Sequence, residues 1–223
     1  MLRSTARRNP PTLEETRAVA RTATRILTSH GLTCCAFGSL ACNLYGTLRT
    51  PNDIDLVVMT RSYTQEELKD LIRRSDSRFY LVPSRKPFAT YKVFYYRLAG
   101  YRRSCKVDIL LPGIMNIPTI TSGRIVKVHD IPVMPLSALL LLKLQGWSDH
   151  RASTRPDMIE KQYVDVQDIN QLLRIASTRG LWMQSETWLP SDFLEAAGDR
   201  IAEYVDEYPS SGASWEAIGY DMN

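Results

Sequence analysis

Asp53 and Asp55, separated by Ile54, carry the strongest chemical signal in the sequence. On an extended chain, residues two apart project from the same face. Two carboxylates held that closely repel each other unless a cation lies between them. Oxygen-only ligands select a hard ion, magnesium or manganese, rather than zinc. The run Ile54, Leu56, Val57 and Val58 makes this a buried strand, a rigid mount rather than a loop.

Phe37-Gly38-Ser39 supplies the complementary half. A glycine at a strand-to-helix turn lets the backbone approach a ligand closely. The helix after it offers free N–H groups and a positive dipole end to an anion. Ser39 adds a hydroxyl donor. A phosphate chain could lie on Gly38 and Ser39 while its metal lies on Asp53 and Asp55. Asp108 is a lone acid in the apolar segment Val107-Asp108-Ile109. Such burial is costly unless the acid is paired or bound to metal. If its strand sits beside that of Asp55, three acids converge.

Phe37-Gly38-Ser39, a spacer of thirteen residues, Asp53-Ile54-Asp55-Leu56 and then Val107-Asp108-Ile109 resemble the signature of the DNA polymerase beta-like nucleotidyltransferase superfamily. Farther on, Lys143 is the single charge in an apolar helix, followed by Arg151, Arg155, Lys161, Asp165 and Asp168. This looks like the Lys, Arg and Asp-x-x-Asp arrangement of AbiEii-type enzymes, the toxin halves of some bacterial toxin–antitoxin pairs. It is also similar to minimal and aminoglycoside nucleotidyltransferases. The resemblance covers about residues 33–175.

It implies transfer of a nucleoside monophosphate from an NTP such as ATP to an acceptor hydroxyl, with release of pyrophosphate. Two magnesium (or manganese) ions would bind Asp53, Asp55 and Asp108, the last also a proton acceptor. Gly38, Ser39, Arg49, Lys143 and Asp168 would serve the nucleotide. RNA, of tRNA type, is the expected acceptor. A small aminoglycoside-like molecule, a protein side chain, or a catalytically silent nucleotide- or RNA-binding module are the alternatives.

Each residue also has a plainer role. Asp53 and Asp55 suit a turn and cap after Pro51, and Gly38-Ser39 a helix cap. Asp108 could pair with Lys106 or Arg103 across a hairpin. Lys143 could snorkel from a half-buried helix. Asp165 is most simply an i,i+4 partner of Lys161. Arg49 could be solvated. Alternation within a strand accounts for most of Tyr91, Tyr95, Tyr96 and Tyr101, which could otherwise stack bases.

The elements that must position these groups are legible in outline. Thr12 and Glu15 form a capping box for an amphipathic helix over about residues 13–30, stopped by Gly31. Strands are expected at 33–37, 54–59, 78–82, 91–98, 106–111 and 125–128. The segments at 91–98 and 106–111 form a hairpin through Ala99-Gly100-Tyr101. Short helices are expected at 39–45 and 65–74. Beyond Pro132 and Pro135 the pattern becomes helical, over 136–145, about 159–176 and 191–208. The fold class is α+β: a mixed-sheet core flanked by helices over 1–130, a helical C-terminal part over 131–208, and a loose acidic tail over 209–223.

Composition sets the outer bounds. With 223 residues, 44% hydrophobic and 23% charged, the chain has ordinary globular composition and needs no disulfide or metal to fold. No apolar run reaches the ~18 residues of a membrane span. The arginines of residues 1–8 precede no apolar stretch, so a secretory signal is not expected and a transit peptide is weakly indicated. Cys34, Cys35, Cys42 and Cys105 show no ligand spacing and read as buried thiols in a reducing, cytoplasmic setting. His30, His129 and His150 are too scattered for a zinc site. The net charge of +4 hides an asymmetry: residues 61–106 carry twelve Lys/Arg against four acids, whereas 181–223 carry nine acids against Arg200. A basic face over 61–106 suits a nucleotide or RNA; a solvated surface whose charges meet the acidic tail is the competing explanation.

Overall fold

The computed structural model describes residues 9–84 and 88–220. The transit-peptide reading of residues 1–8, and Arg85 and Lys86 of the basic stretch, lie outside the described residues.

The first helix, α1 (Leu13–Ser29), carries both halves of the capping box, with Thr12 Oγ1 accepting from Glu15 N–H and Glu15 accepting from Thr12 N–H. Its apolar stripe, Val19, Ala20, Ala23 and Leu27, is fully buried. There follow β1 (Cys34–Phe37), α2 (Gly38–Tyr45), β2 (Asp53–Val58), α3 (Gln65–Ser75), β3 (Phe79–Pro83), β4 (Lys92–Arg97) and β5 (Ser104–Leu110). Two short strands, β6 (Val126–Val128) and β7 (Ile131–Val133), precede the helices α4 (Leu136–Arg151), α5 (Pro156–Thr178), α6 (Ser191–Glu207) and α7 (Gly212–Glu216). This is the expected α+β class.

The strands form one mixed sheet in the order β3-β4-β5-β2-β1-β7-β6. The expected hairpin is β4–β5, antiparallel. Strand β5 then lies parallel to β2, with Asp53 opposite Lys106 and Asp55 opposite Asp108. Strand β1 is antiparallel to β2 on the other side, with Phe37 opposite Asp55. Helices α1 and α3 pack on one face of the sheet; α2 lies against β1 and β2 on the other, backed by α4 and α5.

Three differences from the expected elements have physical causes. Ile131–Val133 joins the sheet beside β1, past the expected end of the core at residue 130. Pro132 argues against a sheet strand, and three residues are too few to show alternation. Helix α4 runs on through Gly146 to Arg151 rather than ending near Gln145, because tertiary burial outweighs the ~1 kcal/mol cost of a helical glycine. Residues 209–220 are not loose: Trp215 and Ile218 are fully buried, and the Trp215 ring meets Tyr204 and Tyr220 edge-on at 6.3 and 5.7 Å. Its serine and glycine content masks two anchoring apolar side chains. Among the described residues, no helix is long and apolar enough to cross a membrane.

Candidate active site

The site is built at the end of β1 and the start of β2. Gly38 begins α2 with φ +59°, a left-handed conformation that favours glycine. A side chain there would also collide with the carboxylate beside it, since a Cβ on Gly38 would stand 2.2 Å from Asp55 Oδ2. The glycine is therefore required both by the backbone and by the approach of Asp55. Nothing caps the start of α2 through a side chain, so its first N–H groups face outward from the Gly38-Ser39 turn. Ser39 Oγ donates to Asp53 Oδ1 at 3.5 Å, tying the turn to the strand.

Strand alternation and register do the rest. Asp53 and Asp55 on β2, and Lys106 and Asp108 on β5, occupy one face, while Ile54 and Val107 between them are fully buried in the core on the other. Burial first, then the charges of Asp53 and Asp108, push the Asp55 carboxyl up to about 7. A cation would relieve that repulsion, and the donors are all hard oxygens, so the residues fit a magnesium- or manganese-type ion. They form no finished cage: among the described residues no three acid, histidine or cysteine side chains are gathered to hold an ion as they stand. Asp108 is instead ion-paired with Lys106 through Oδ2. That is one of the two pairings open to it from the sequence; the other candidate, Arg103, binds Glu15 at 2.6 Å and braces the hairpin against α1.

A second cluster faces this one from the helices. Lys143 Nζ lies 2.8 Å from Asp165 Oδ1 and 2.8 Å from Asp168 Oδ2. Arg49 grips Asp168 with two hydrogen bonds, at 3.2 and 2.5 Å. His150 Nδ1 reaches Asp165 Oδ2 at 2.6 Å. Burial pushes Asp168 up, but Arg49 and Lys143 overcome it and hold the carboxylate below its ordinary range. Burial likewise opposes the charge on Lys143, and Asp165 and Asp168 overcome that too, raising its affinity for the proton. Among the described residues, Asp165 forms no ion pair with Lys161, its expected helical neighbour; its partners are Lys143 and His150.

Between the two clusters lies a cleft of about 710 Å³. Gly38, Ser39, Arg49, Asp53, Asp55, Asp108 and Lys143 all line it. Asp168 does not; it is 0% exposed and sits behind Arg49 and Lys143, holding both. The lining also includes His150, Lys161 and Gln65, none of which was assigned to the nucleotide site from the sequence. His150 stands two helical turns after Lys143 on α4, so its shared face was readable from i,i+7 spacing once that helix was extended past Gly146. Gln65, whose Nε2 donates to Ile109 O at 2.5 Å, had no signal of its own, because only the pairing of β5 with β2 brings it there.

No protein-family model and no curated protein matches this sequence. Solved structures do match. An antigenic nucleotidyltransferase-like protein from Paracoccidioides brasiliensis is 17% identical with a TM-score of 0.71, over 96% of this chain and 97% of that one. An H. pylori protein provisionally described as a nucleotidyltransferase is 10% identical with a TM-score of 0.54, over 92% of this chain and 82% of that one. Over nearly its whole length the chain therefore shares the fold of these nucleotidyltransferase-like structures.

Proposed function

We propose that the protein is a metal-dependent nucleotidyltransferase that moves a nucleoside monophosphate from an NTP to an acceptor hydroxyl, most simply one on RNA. The observation that carries this reading is the approach of Gly38 to Asp55 beside the Asp55–Asp108 register pair. A phosphate-binding turn and an acidic cluster thereby share one cleft wall. Asp53 and Asp55 would hold a divalent ion, and Asp108, once free of Lys106, would be a third ligand. Such an ion supplies neutralisation of the triphosphate and a lowered pKa for the attacking hydroxyl. Ser39 and the first N–H groups of α2 hold the β- and γ-phosphates. Lys143 and Arg49, fixed by Asp168, place positive charge on the opposite wall. Asp108 accepts the hydroxyl proton as the acceptor oxygen bonds to the α-phosphorus. The bond from that phosphorus to the β-bridging oxygen breaks, and pyrophosphate leaves with the electron pair. A cytoplasmic, reducing setting belongs to this reading and is supported by four buried, unpaired thiols.

The ion pair on Asp108 favours one second reading, a nucleotide-binding module that transfers nothing. Incubation with each labelled NTP, magnesium and total cell RNA or protein, followed by gel separation, tests both. Magnesium-dependent label in RNA is expected. Saturable NTP binding with no label in any acceptor and no pyrophosphate would leave the silent module standing.

A further inference from the structure

A cross-strand row leads away from the carboxylates. Tyr80 pairs with Tyr95, Tyr95 with Lys106, and Lys106 with Asp53, so the row crosses β3, β4 and β5 on the catalytic face. Its members are half-buried, whereas the alternate residues Phe79, Phe94, Tyr96 and Val107 are buried in the core. This face is open, and a groove of about 1070 Å³ runs over it. The groove and the catalytic cleft meet at Lys69, Tyr91 and Asp108.

Two features of the groove suit a polynucleotide. The rings of Tyr80 and Tyr95 stack at 5.8 Å with planes 25° apart, and the Arg97 guanidinium lies 5.5 Å over Tyr80. Bases stack on such platforms whatever their sequence. Lys92, Arg97 and Arg102 line the same groove, and among the described residues none of them has a carboxylate partner. Among the described residues, Asp108 is the sole acid in its lining. Cross-strand pairing explains the stacked tyrosines; it does not explain three unneutralised cations beside them.

We propose that this face is the acceptor track, and that it takes the end of a single-stranded RNA. Phosphates lie along Lys92, Arg97 and Arg102, bases stack at Tyr80 and Tyr95, and the terminal hydroxyl arrives at Asp108. A duplex is excluded because its bases hide the faces the tyrosines need. Three strand spacings separate Tyr80 from Asp53, about 14 Å, which is room for two or three nucleotides before the reacting end. Delivery to Asp108 rests on the transferase reading above; the binding surface does not.

Fluorescence anisotropy with a labelled twelve-nucleotide oligo(U), free or annealed to oligo(A), tests the track in the absence of NTP. The single strand should bind better than the duplex. Tyr80→Ala with Tyr95→Ala should weaken it about ten-fold or more, and Tyr95→Phe should not. Arg97→Glu with Arg102→Glu, both exposed, covers the case in which the tyrosine variant fails to fold. The rise in melting temperature on adding NTP and magnesium should be the same in wild type and the arginine variant. Equal binding of duplex and single strand, or binding unchanged in the arginine and the folded tyrosine variants, overturns the track, even if transfer to some other acceptor is intact. Weakened binding in the variants upholds it, even if no nucleotide is ever transferred, and that combination would sink the transferase reading alone.

Discussion

Asp55 is the residue on which most of the site's chemistry turns, because it is half-buried between two like charges. Replacing it or Asp53 by Ala removes an ion ligand and also relieves repulsion. Transfer should fall more than about a hundred-fold, the scale of losing several kcal/mol of charge stabilisation, while the melting temperature holds or rises. A folded variant retaining more activity than that contradicts the ligand assignment. The raised pKa also gives a signed pH dependence. The folded protein keeps a proton on Asp55 up to about 7, whereas the unfolded chain loses it near the ordinary carboxylate value of 3.8. Stability therefore falls as pH rises from about 4 to 7 and levels off above, as far as this group contributes. A divalent ion needs the deprotonated form, so magnesium should raise the melting temperature more at pH 8 than at pH 5.5. An equal rise at both would mean that the ion does not bind at Asp55.

At the scale of elements, α4 and α5 are joined by Lys143, Asp165 and Asp168 as well as by leucine packing. The sequence left Lys143 divided between the nucleotide and a snorkelling position on a half-buried helix. The structure places it against both acids while its head still lines the cleft. Lys143→Met keeps the stem but strands buried carboxylates, one still held by Arg49 and the other by His150. Urea unfolding should show a loss of about 3 kcal/mol, at the low end for breaking a buried pair. Nucleotide affinity should fall as well when measured on the folded variant; unchanged stability would contradict the network. Helix α7 makes a second element-scale case. Its five residues cannot hold a helix alone. Trp215, packed against Tyr204 and Tyr220, holds it in place. Trp215→Ala should cost about 3–5 kcal/mol, and a near-neutral result by thermal melting would mean that the tail is as loose as its composition suggests.

Over the whole molecule, charge is sorted rather than balanced. The acids of α6 meet α4, where Arg151 pairs with Glu203 and Glu207 at 3.5 and 2.7 Å. Among the described residues, none of the ion pairs joins the basic stretch 61–106 to the acidic C-terminal part. The basic stretch itself is divided. Arg73 and Arg78 pair with Asp70 and Asp76, and Arg103 pairs with Glu15, leaving Lys92, Arg97 and Arg102 on the open face. Three phosphate contacts from these give a slope of about −2 in log affinity against log salt for a single strand. Titrations at several salt concentrations measure it; salt-independent acceptor binding would point to a small molecule or a protein side chain instead.

What the sequence determined by itself was local. Thr12 and Glu15 start a helix because their side chains reach backbone groups three residues away. Asp53 and Asp55 share a face because a strand alternates, and Gly38-Ser39 must turn because glycine alone adopts that backbone cheaply. Tertiary structure decided everything that depends on which strand lies beside which. The pairing of β5 with β2, across more than fifty residues of chain, sets Asp108 opposite Asp55 and supplies Lys106 as its partner. The choice of Lys143 and His150 as partners of Asp165, the capture of Ile131–Val133 by β1, and the burial of Trp215 are of the same kind. Short-range geometry is repeated in every chain with those residues. Contacts between distant segments are selected by the free energy of the whole packed core, which no single window of sequence contains.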